Sequence, residues 1–235
     1  MSSSTTKART SLVITIDGPV AAGKTSAARG LAVRLGLPLL DTGAIYRCVA
    51  LATRQQGLDW SDESAVVRVV SEIEIACRTE GAIHRIYTNN IEVSEAIRRP
   101  DISQGASIVS ALPGVRSALL HVQRQQAAEG RLIAEGRDTG TVVFADADCK
   151  FFLTARPEVR AHRRHLELRS KGIDAEFRDV LAELEMRDPR DSTRAIAPLV
   201  PAADATTIDS SDMSAGEVIA EMRSVATARL VNTGS

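Results

Sequence analysis

The feature that most constrains this chain is a short glycine-bounded loop between an apolar stretch and a helical stretch. Residues 12–16 read Leu-Val-Ile-Thr-Ile, which is typical of a short buried strand. Residues 18–25 follow and match the pattern G-x-x-x-x-G-K-[ST]. Residues 24–35 are rich in Ala, Leu and Arg and end before Gly36, which predicts a helix. A strand, a loop of this pattern and a helix in this order predict a phosphate-binding P-loop.

The chemistry of such a loop is simple. Its backbone N–H groups and the N-terminus of the next helix form a positive concave surface for phosphate oxygens. Lys24 would place its charge on the β- and γ-phosphates of a nucleoside triphosphate, and the Thr25 hydroxyl would bind Mg²⁺. The predicted triphosphate-binding residues are Gly18, Pro19, Val20, Ala21, Ala22, Gly23, Lys24, Thr25 and Ser26.

Composition excludes several other classes. With 235 residues the chain is long enough for one large domain with small insertions. A formal net charge of −1 gives no electrostatic argument for binding nucleic acid or a membrane surface. No apolar run approaches the ~18 residues of a membrane span, and residues 1–10 lack the apolar segment of a secretory signal. We therefore expect a cytoplasmic protein that acts as a monomer, with residues 1–10 forming a disordered tail.

The order of predicted elements favours an α/β fold with a parallel sheet, because short apolar strands alternate with helices along most of the chain. The middle differs, since residues 72–78 and 83–88 alternate between apolar and polar side chains, as antiparallel strands do. We interpret residues 70–97 as a small inserted sheet. The further predicted strands are 38–40, 132–134, 149–153 and 204–208, and the further helices are 44–56, 100–111, 114–129, 157–170, 175–187 and 214–228.

Two polar segments follow predicted strands and indicate a second anionic site. Thr42 and Arg47 come after the second strand, and Arg137 and Asp138 come after the strand at 132–134. Because parallel sheets bind ligands at the carboxyl ends of their strands, these residues would lie near the mouth of the P-loop. An alternative interpretation of the latter strand is Walker-B-like, with Glu135 near Mg²⁺.

Residues 187–194 form a dense charge cluster with three arginines. By itself such a cluster is as often a solvated loop as a site, but near a P-loop it favours a clamp on phosphate. The four histidines are expected on the surface or in a mobile segment rather than as catalytic bases. The three cysteines are far apart, and we expect reduced thiols that serve packing.

Taken together, these stretches resemble the bacterial cytidylate kinases, which belong to the nucleoside monophosphate kinase group. The resemblance covers residues 12–230. It rests on residues 16–19 with Gly23 and Lys24, and on residues 41–47, 115–116, 136–144, 187–192 and 197–199. The run Gly-Arg-Asp-Thr-Gly-Thr-Val-Val-Phe at 136–144 is the most specific of them, and the P-loop is the least specific.

The resemblance implies a three-layer fold with a parallel core sheet, a small antiparallel insert and a helical lid. Its core would be residues 11–69, 98–156 and 191–235, its CMP-binding insert 70–97 and its lid 157–190. Residue by residue, it implies that Thr42, Arg47, Arg137 and Arg194 contact the CMP phosphate side. It implies that Ser107, Arg116 and Asp138 read the base, that Arg187 and Asp191 hold the sugar, and that Arg163 approaches the phosphates of ATP.

The implied reaction is the transfer of a phosphoryl group from ATP, with Mg²⁺, to CMP or dCMP. The residues expected to act in catalysis are Lys24, Arg137, Arg187 and Arg194. Phosphoryl transfer needs positioning and charge stabilisation rather than a protein nucleophile, which agrees with the lack of a Ser-His-Asp set. Two alternatives are a kinase of another monophosphate such as UMP, and a P-loop nucleotide switch. The switch is disfavoured because the sequence has no N-K-x-D motif.

Overall fold

A computed structural model describes residues 12–80, 83–128 and 130–232. The predicted tail at residues 1–10 lies outside this part of the chain. The strands are β1 (Leu12–Asp17), β2 (Leu39–Asp41), β3 (Ile75–Glu80), β4 (Ile83–Thr88), β5 (Ile91–Glu92), β6 (Arg131–Gly136), β7 (Cys149–Thr154) and β8 (Thr206–Asp209). The helices are α1 (Lys24–Leu35), α2 (Thr42–Gln55), α3 (Glu63–Glu72), α4 (Pro100–Val109), α5 (Pro113–Gln125), α6 (Pro157–Ser170), α7 (Phe177–Thr193) and α8 (Ala215–Asn232).

Five parallel strands form the core sheet in the order β2-β6-β1-β7-β8. Strand β1 is central, and Asp17 at its end aligns with Gly136 on β6 and Phe152 on β7. All five strands point the same way, so the loops that follow them meet at one edge of the sheet. The predicted α/β fold with a parallel sheet is confirmed, and this edge carries the site.

Helices cover both faces of the sheet and complete three layers. On one face α1 packs on β6 and β1, and α8 packs on α1 and β7; Ile14, Leu31, Phe151 and Met222 are each at most 1% exposed. Removing a fully buried side chain of this size, such as Phe151→Ala, costs about 3–5 kcal/mol of stability. The P-loop at the start of α1 is therefore anchored on a well-packed layer.

The other face is covered by α2, α4 and α5, and α3 packs outside them on α5. No helix is predicted from sequence over α3, and its presence is a difference from expectation. Asp62 caps it by accepting a hydrogen bond from the Ala65 N–H at 3.0 Å. Its buried residues Ala65, Val66 and Val69 recur at helical spacing, and this pattern in the sequence could have predicted the helix.

A second sheet consists of β3, β4 and β5 in antiparallel order, which confirms the small inserted sheet. Asn89 and Asn90 join β4 to β5 with φ of 49° and 63°. A two-residue hairpin loop with two positive φ angles has the twist that antiparallel strands need, and Asn accepts this conformation. The insert is followed by a short 3₁₀ turn, Ala96–Arg98, which packs against α2.

Helices α6 and α7 pair with each other where the resemblance places the lid. Ala161, Leu168, Val180 and Leu184 form a small apolar cluster between them. Helix α7 does not end near residue 187 as predicted but continues to Thr193, with Pro189 inside it. The alternative of a solvated loop is therefore wrong over residues 187–193, and the predicted lid boundary at residue 190 falls within this helix.

Candidate active site

The P-loop has the backbone that its glycines predict. Gly18 and Gly23 have φ of 150° and 94°, and Ala21 has φ of 59°. A Cβ on Gly18 would lie 1.9 Å from the carbonyl oxygen of Leu153, so only glycine fits between β1 and β7. Gly23 directly precedes α1, which begins at Lys24 and points its N-terminus into the loop. The loop therefore has the backbone conformation and the adjoining helix N-terminus that the predicted anion site requires.

Lys24 lies inside this loop and is buried. Its Nζ donates a hydrogen bond to the carbonyl oxygen of Pro19 at 2.6 Å. Burial lowers the pKa of the Lys24 ammonium well below its usual range, and the charge of Arg137 lowers it further, while Glu135 and Asp17 oppose the shift. The ammonium is therefore held at the loop by one backbone contact, which a phosphate oxygen can replace.

Thr25 and Glu135 place side-chain oxygen atoms next to each other, beside Lys24. The Thr25 hydroxyl donates to Glu135 Oε2 at 2.9 Å, and Glu135 Oε1 is buried without a hydrogen-bond partner among the described residues. Burial raises the pKa of the Glu135 carboxyl to about 7, with a smaller contribution from the charge of Asp41. An orphaned carboxylate oxygen beside a hydroxyl is the donor chemistry that suits Mg²⁺, so these residues fit the expected metal.

Asp17 connects the P-loop strand to the Gly-Arg-Asp segment. It accepts hydrogen bonds from the N–H and hydroxyl of Thr139 at 2.9 and 2.8 Å and from the Gly140 N–H at 2.7 Å. Burial raises the pKa of Asp17, although these three donors lower it in part. The contacts fix the loop after β6 relative to the loop after β1, so Arg137 and Asp138 have a defined position.

The start of α2 places Thr42 and Arg47 at the same edge. Asp41 caps the helix by accepting from the Ala44 N–H at 2.9 Å, and its other oxygen pairs with Arg47 Nη2 at 2.6 Å. The Thr42 hydroxyl donates to the carbonyl oxygen of Glu135 at 2.8 Å. Helix α2 is thereby tied to β6, and Arg47 faces the cleft between them.

Helix α7 brings Arg187 and Asp191 to one side because they are four residues apart. Arg137 Nε donates to Asp191 Oδ2 at 2.9 Å, and Arg187 Nε lies 3.9 Å from the same oxygen. Burial, together with the charge of Arg137, lowers the pKa of Arg187 to about 10. Although burial would raise it, the pKa of Asp191 is held low by Arg137 and Arg187. Two guanidinium groups thus share one carboxylate, and the excess positive charge suits an anionic ligand.

A buried network surrounds Asp138. Arg116 Nη2 donates to Asp138 Oδ2, and Arg194 Nη2 lies 3.4 Å from Asp138 Oδ1. The Arg116 guanidinium also stacks on the Tyr46 ring at 5.7 Å. Ser107 is buried nearby, where its hydroxyl accepts from Arg190 Nη1 at 3.4 Å. The network offers one carboxylate acceptor and several guanidinium donors, as recognition of a polar ring requires.

Helix α6 contributes Arg163. Its guanidinium donates to the hydroxyl and carbonyl oxygens of Ser210 at 2.9 and 2.7 Å. Arg160, also on α6, pairs with Asp188 of α7 and donates to the carbonyl oxygen of Val20 in the P-loop at 3.3 Å. Helix α6 therefore contacts the P-loop through the Arg160 side chain.

One cavity of about 620 Å³ joins these groups. Most of the predicted site residues line it, which brings together segments far apart in sequence; the exceptions are Gly18, Pro19 and Ser107. The lining also includes Glu135, which the sequence indicated only in the alternative Walker-B-like interpretation, and Tyr46, which lies in the stretch 41–47 but was given no role. Arg29, Arg98 and Ser210 also line the cavity and were not predicted as ligands.

On its parallel α/β fold, the chain has one cavity that contains both a P-loop and a second region lined by arginines. This combination defines a P-loop kinase. The loop has the sequence pattern of a triphosphate-binding loop, and the arginines supply the positive charge that a second anionic substrate would require. A family model described as Cytidylate kinase matches residues 14–228. The chain therefore belongs to the cytidylate kinase family.

Curated relatives agree with this assignment. A cytidylate kinase of Vibrio vulnificus (strain YJ016) is 45% identical over 207 residues, which cover 88% of this chain and 92% of that protein. The cytidylate kinase of Pseudomonas syringae pv. tomato is 46% identical, covering 88% and 91% of the two chains. That of Lactiplantibacillus plantarum is 39% identical, covering 96% and 99%. Within the described residues, no helix has the length and apolar character to cross a membrane.

Proposed function

We propose that this protein transfers the γ-phosphoryl group of ATP to CMP and dCMP. The observation that carries the proposal is that the P-loop, the arginine cluster and the Asp138–Arg116 pair all line one cavity. A triphosphate on the loop and a monophosphate on the arginines would then lie close enough to react. Membership of the cytidylate kinase family supports the same reaction.

Catalysis in this site rests on positioning and charge. Lys24 exchanges its contact with the Pro19 carbonyl for phosphate oxygens of ATP. Arg47, Arg137 and Arg194 hold the phosphate of CMP and offset the repulsion between two anionic substrates. No protein nucleophile is required, because the acceptor phosphate oxygen itself attacks the γ-phosphorus and ADP leaves. Closure of α6 and α7 over the cavity would exclude water, which protects ATP from hydrolysis.

The same proposal includes Mg²⁺, held by the Thr25 hydroxyl with Glu135 beside it. The bound ion would supply positive charge to the phosphates of ATP as negative charge shifts in the reaction. What this chain contributes is the geometry: Thr25 is fixed by the start of α1, and Glu135 is fixed by the end of β6. The unpartnered Oε1 of Glu135 is the feature of the structure that favours this assignment.

The choice of base follows from the hydrogen-bonding groups of Asp138 and Arg116. An ionised Asp138 only accepts, so it suits the amino group of cytosine and repels the O4 oxygen of uracil. Arg116 only donates, so it suits N3 or O2 of cytosine and opposes the N3–H of uracil. Buried groups that the wrong base leaves unpaired can discriminate by up to ~10⁴-fold. Cytosine is therefore the base that this pair favours.

A coupled assay of ADP release across CMP, dCMP, UMP and AMP tests the proposal. We expect kcat/KM for CMP and dCMP to exceed that for UMP and AMP by at least about tenfold, a difference of about 1.4 kcal/mol. A higher kcat/KM for UMP or AMP would overturn the assignment of the base. Release of ADP that does not depend on any monophosphate would instead favour a nucleotide-hydrolysing switch.

Three expectations from sequence extend the proposal: that the protein acts as a monomer, in the cytoplasm and without nucleic acid. The first is measured by light scattering of the purified chain with and without both nucleotides. The last is measured by titration with labelled DNA and RNA at low salt, where any electrostatic binding is strongest.

A further inference from the structure

Two arginines that line the cavity, Arg98 and Arg29, have not been assigned to either substrate. Arg98 ends the short 3₁₀ turn that follows the insert, and its side chain lines the cavity together with Arg29 of α1 and Arg47 of α2. Arg29 lies four residues after Thr25, one helical turn along the same face. Three guanidinium groups from three separate elements therefore line one cavity.

The backbone at Arg98 has a fixed position, whereas the charge of the Arg98 guanidinium is not neutralised by an ion pair among the described residues. Ile97 beside it is 1% exposed and packs in the main core, which anchors the turn. Arg98 Nε donates to the carbonyl oxygen of Ser94 at 3.1 Å, and within the described part of the chain the guanidinium forms no ion pair. Although Arg98 as a whole is exposed to solvent, partial desolvation of its guanidinium lowers the pKa of Arg98, and the charges of Arg29 and Arg47 contribute to the shift.

The acidic groups that face this cluster are already engaged. Asp41 pairs with Arg47 at 2.6 Å, and Glu167 of the lid pairs with Arg164 at 2.9 Å and with Lys171. Arg29 Nε is buried and has no hydrogen-bond partner among the described residues. Positive charge thus exceeds negative charge here, and planar guanidinium donors are left for an anion with several oxygens, which is the chemistry of a phosphate.

We infer that Arg98 is a further phosphate-binding residue on the CMP side of the site, acting beside Arg47 and Arg29. The inference rests on the proposed function, because it takes the phosphate to be that of CMP. Arg98 follows the insert directly, so its guanidinium would meet the phosphate from the side of the insert. Arg47 would meet it from α2 and Arg29 from α1, and the three together would enclose the phosphate.

The next residue provides a matched control. Arg99 has the same charge and follows Arg98 in sequence, but its side chain is 59% exposed and pairs with Asp101 at 3.3 Å. It is not part of the cavity wall formed by the residues named above. Arg98→Gln and Arg99→Gln therefore remove the same charge from nearly the same place, and only the first removes a group that faces the cavity.

The experiment measures the binding of CMP and of cytidine to the full chain by calorimetry, together with steady-state kinetics. We expect Arg98→Gln to weaken CMP binding about tenfold or more, as the loss of a charge-assisted hydrogen bond does, and to leave cytidine binding unchanged. KM for ATP should stay within about twofold, since the triphosphate is held by the P-loop. Arg98→Lys should recover part of the loss, because it restores the charge without the planar fork.

The outcomes separate the inference from the function on which it rests. The inference would be overturned if the ratio of CMP affinity to cytidine affinity were the same in Arg98→Gln and in the unsubstituted protein. The substitution would then have weakened the binding of both ligands equally or of neither. The same loss in Arg99→Gln would also overturn it, since general surface charge would then be the cause. If the unsubstituted protein itself does not phosphorylate CMP, it is the proposed function that fails.

Discussion

Removal of the buried charge at Arg187 should stabilise the ligand-free protein and at the same time impair catalysis. Arg187 shares Asp191 with Arg137, lies 3.9 Å from it and has a buried Nε without a hydrogen-bond partner among the described residues. Burial, together with the charge of Arg137, lowers its pKa to about 10. A lowered pKa of a base means that the folded state disfavours the charged form, so the cost is present at every pH below about 10.

The magnitude follows from the shift. At about 1.4 kcal/mol for each pKa unit, the lowering of the Arg187 pKa to about 10 corresponds to a penalty of ~3–4 kcal/mol. The Arg187 side chain is 21% exposed, so water screens part of this cost. We therefore expect Arg187→Gln to raise the free energy of unfolding by about 1–2 kcal/mol at pH 7–8. Arg178, an exposed arginine at the start of the same helix, provides the control.

The assay is equilibrium unfolding in urea, followed by circular dichroism, with and without CMP. Arg178→Gln should stay within about 0.5 kcal/mol of the unsubstituted protein. CMP should stabilise the unsubstituted protein more than Arg187→Gln, and kcat/KM for CMP should fall about 10²-fold in that variant. If ligand-free Arg187→Gln is less stable than the unsubstituted protein, the arginine cluster is not under electrostatic strain and the reasoning is wrong.

Three further predictions concern the P-loop, the base and the lid. Lys24→Ala should lower kcat by about 10²–10³ or more while the fold persists, and retention of more than about a tenth of kcat in the coupled assay would contradict the ATP site. Asp138→Ala should lose much of the preference for CMP over UMP, measured as the ratio of kcat/KM, whereas the exposed Asp146→Ala should keep it. Hydrogen exchange in residues 157–190 should slow when a bisubstrate analogue is added, because nucleotide phosphates neutralise the lid arginines and close it; equal exchange in both states would exclude closure.

Local signals explain which parts of the fold were predictable. The bounds of α1 agree with the prediction at both ends, because the P-loop fixes its start and Gly36, with φ of 62°, fixes its end. The end of α7 was not predictable in the same way. Arginines and Pro189 are typical of a loop, but the helix continues to Thr193, where Asp188 pairs with Arg160 of α6 and Asp191 pairs with Arg137. Tertiary packing overrides local preference there.

The residues of the site could likewise be predicted only in part from the sequence. Motif resemblance indicated Arg47, Arg137 and Arg194, and the structure brings them to one cavity. It gave no indication of Arg98, since an arginine in a short exposed turn has no pattern of its own, and only the folded chain places it beside Arg47. Asp138 is predicted to read a base, yet in the folded chain it is already paired with Arg116. Such pairing depends on residues 22 positions apart, which sequence spacing does not reveal.

The central claim is that the γ-phosphoryl group passes directly from ATP to CMP within one cavity. The most direct measurement follows the label when ATP carrying ³²P at the γ-position is incubated with the protein, Mg²⁺ and CMP, and the products are separated. The account predicts that the label appears in CDP as fast as ADP forms and that little inorganic phosphate is released. Label that accumulates as inorganic phosphate, or that reaches UMP faster than CMP, would contradict it.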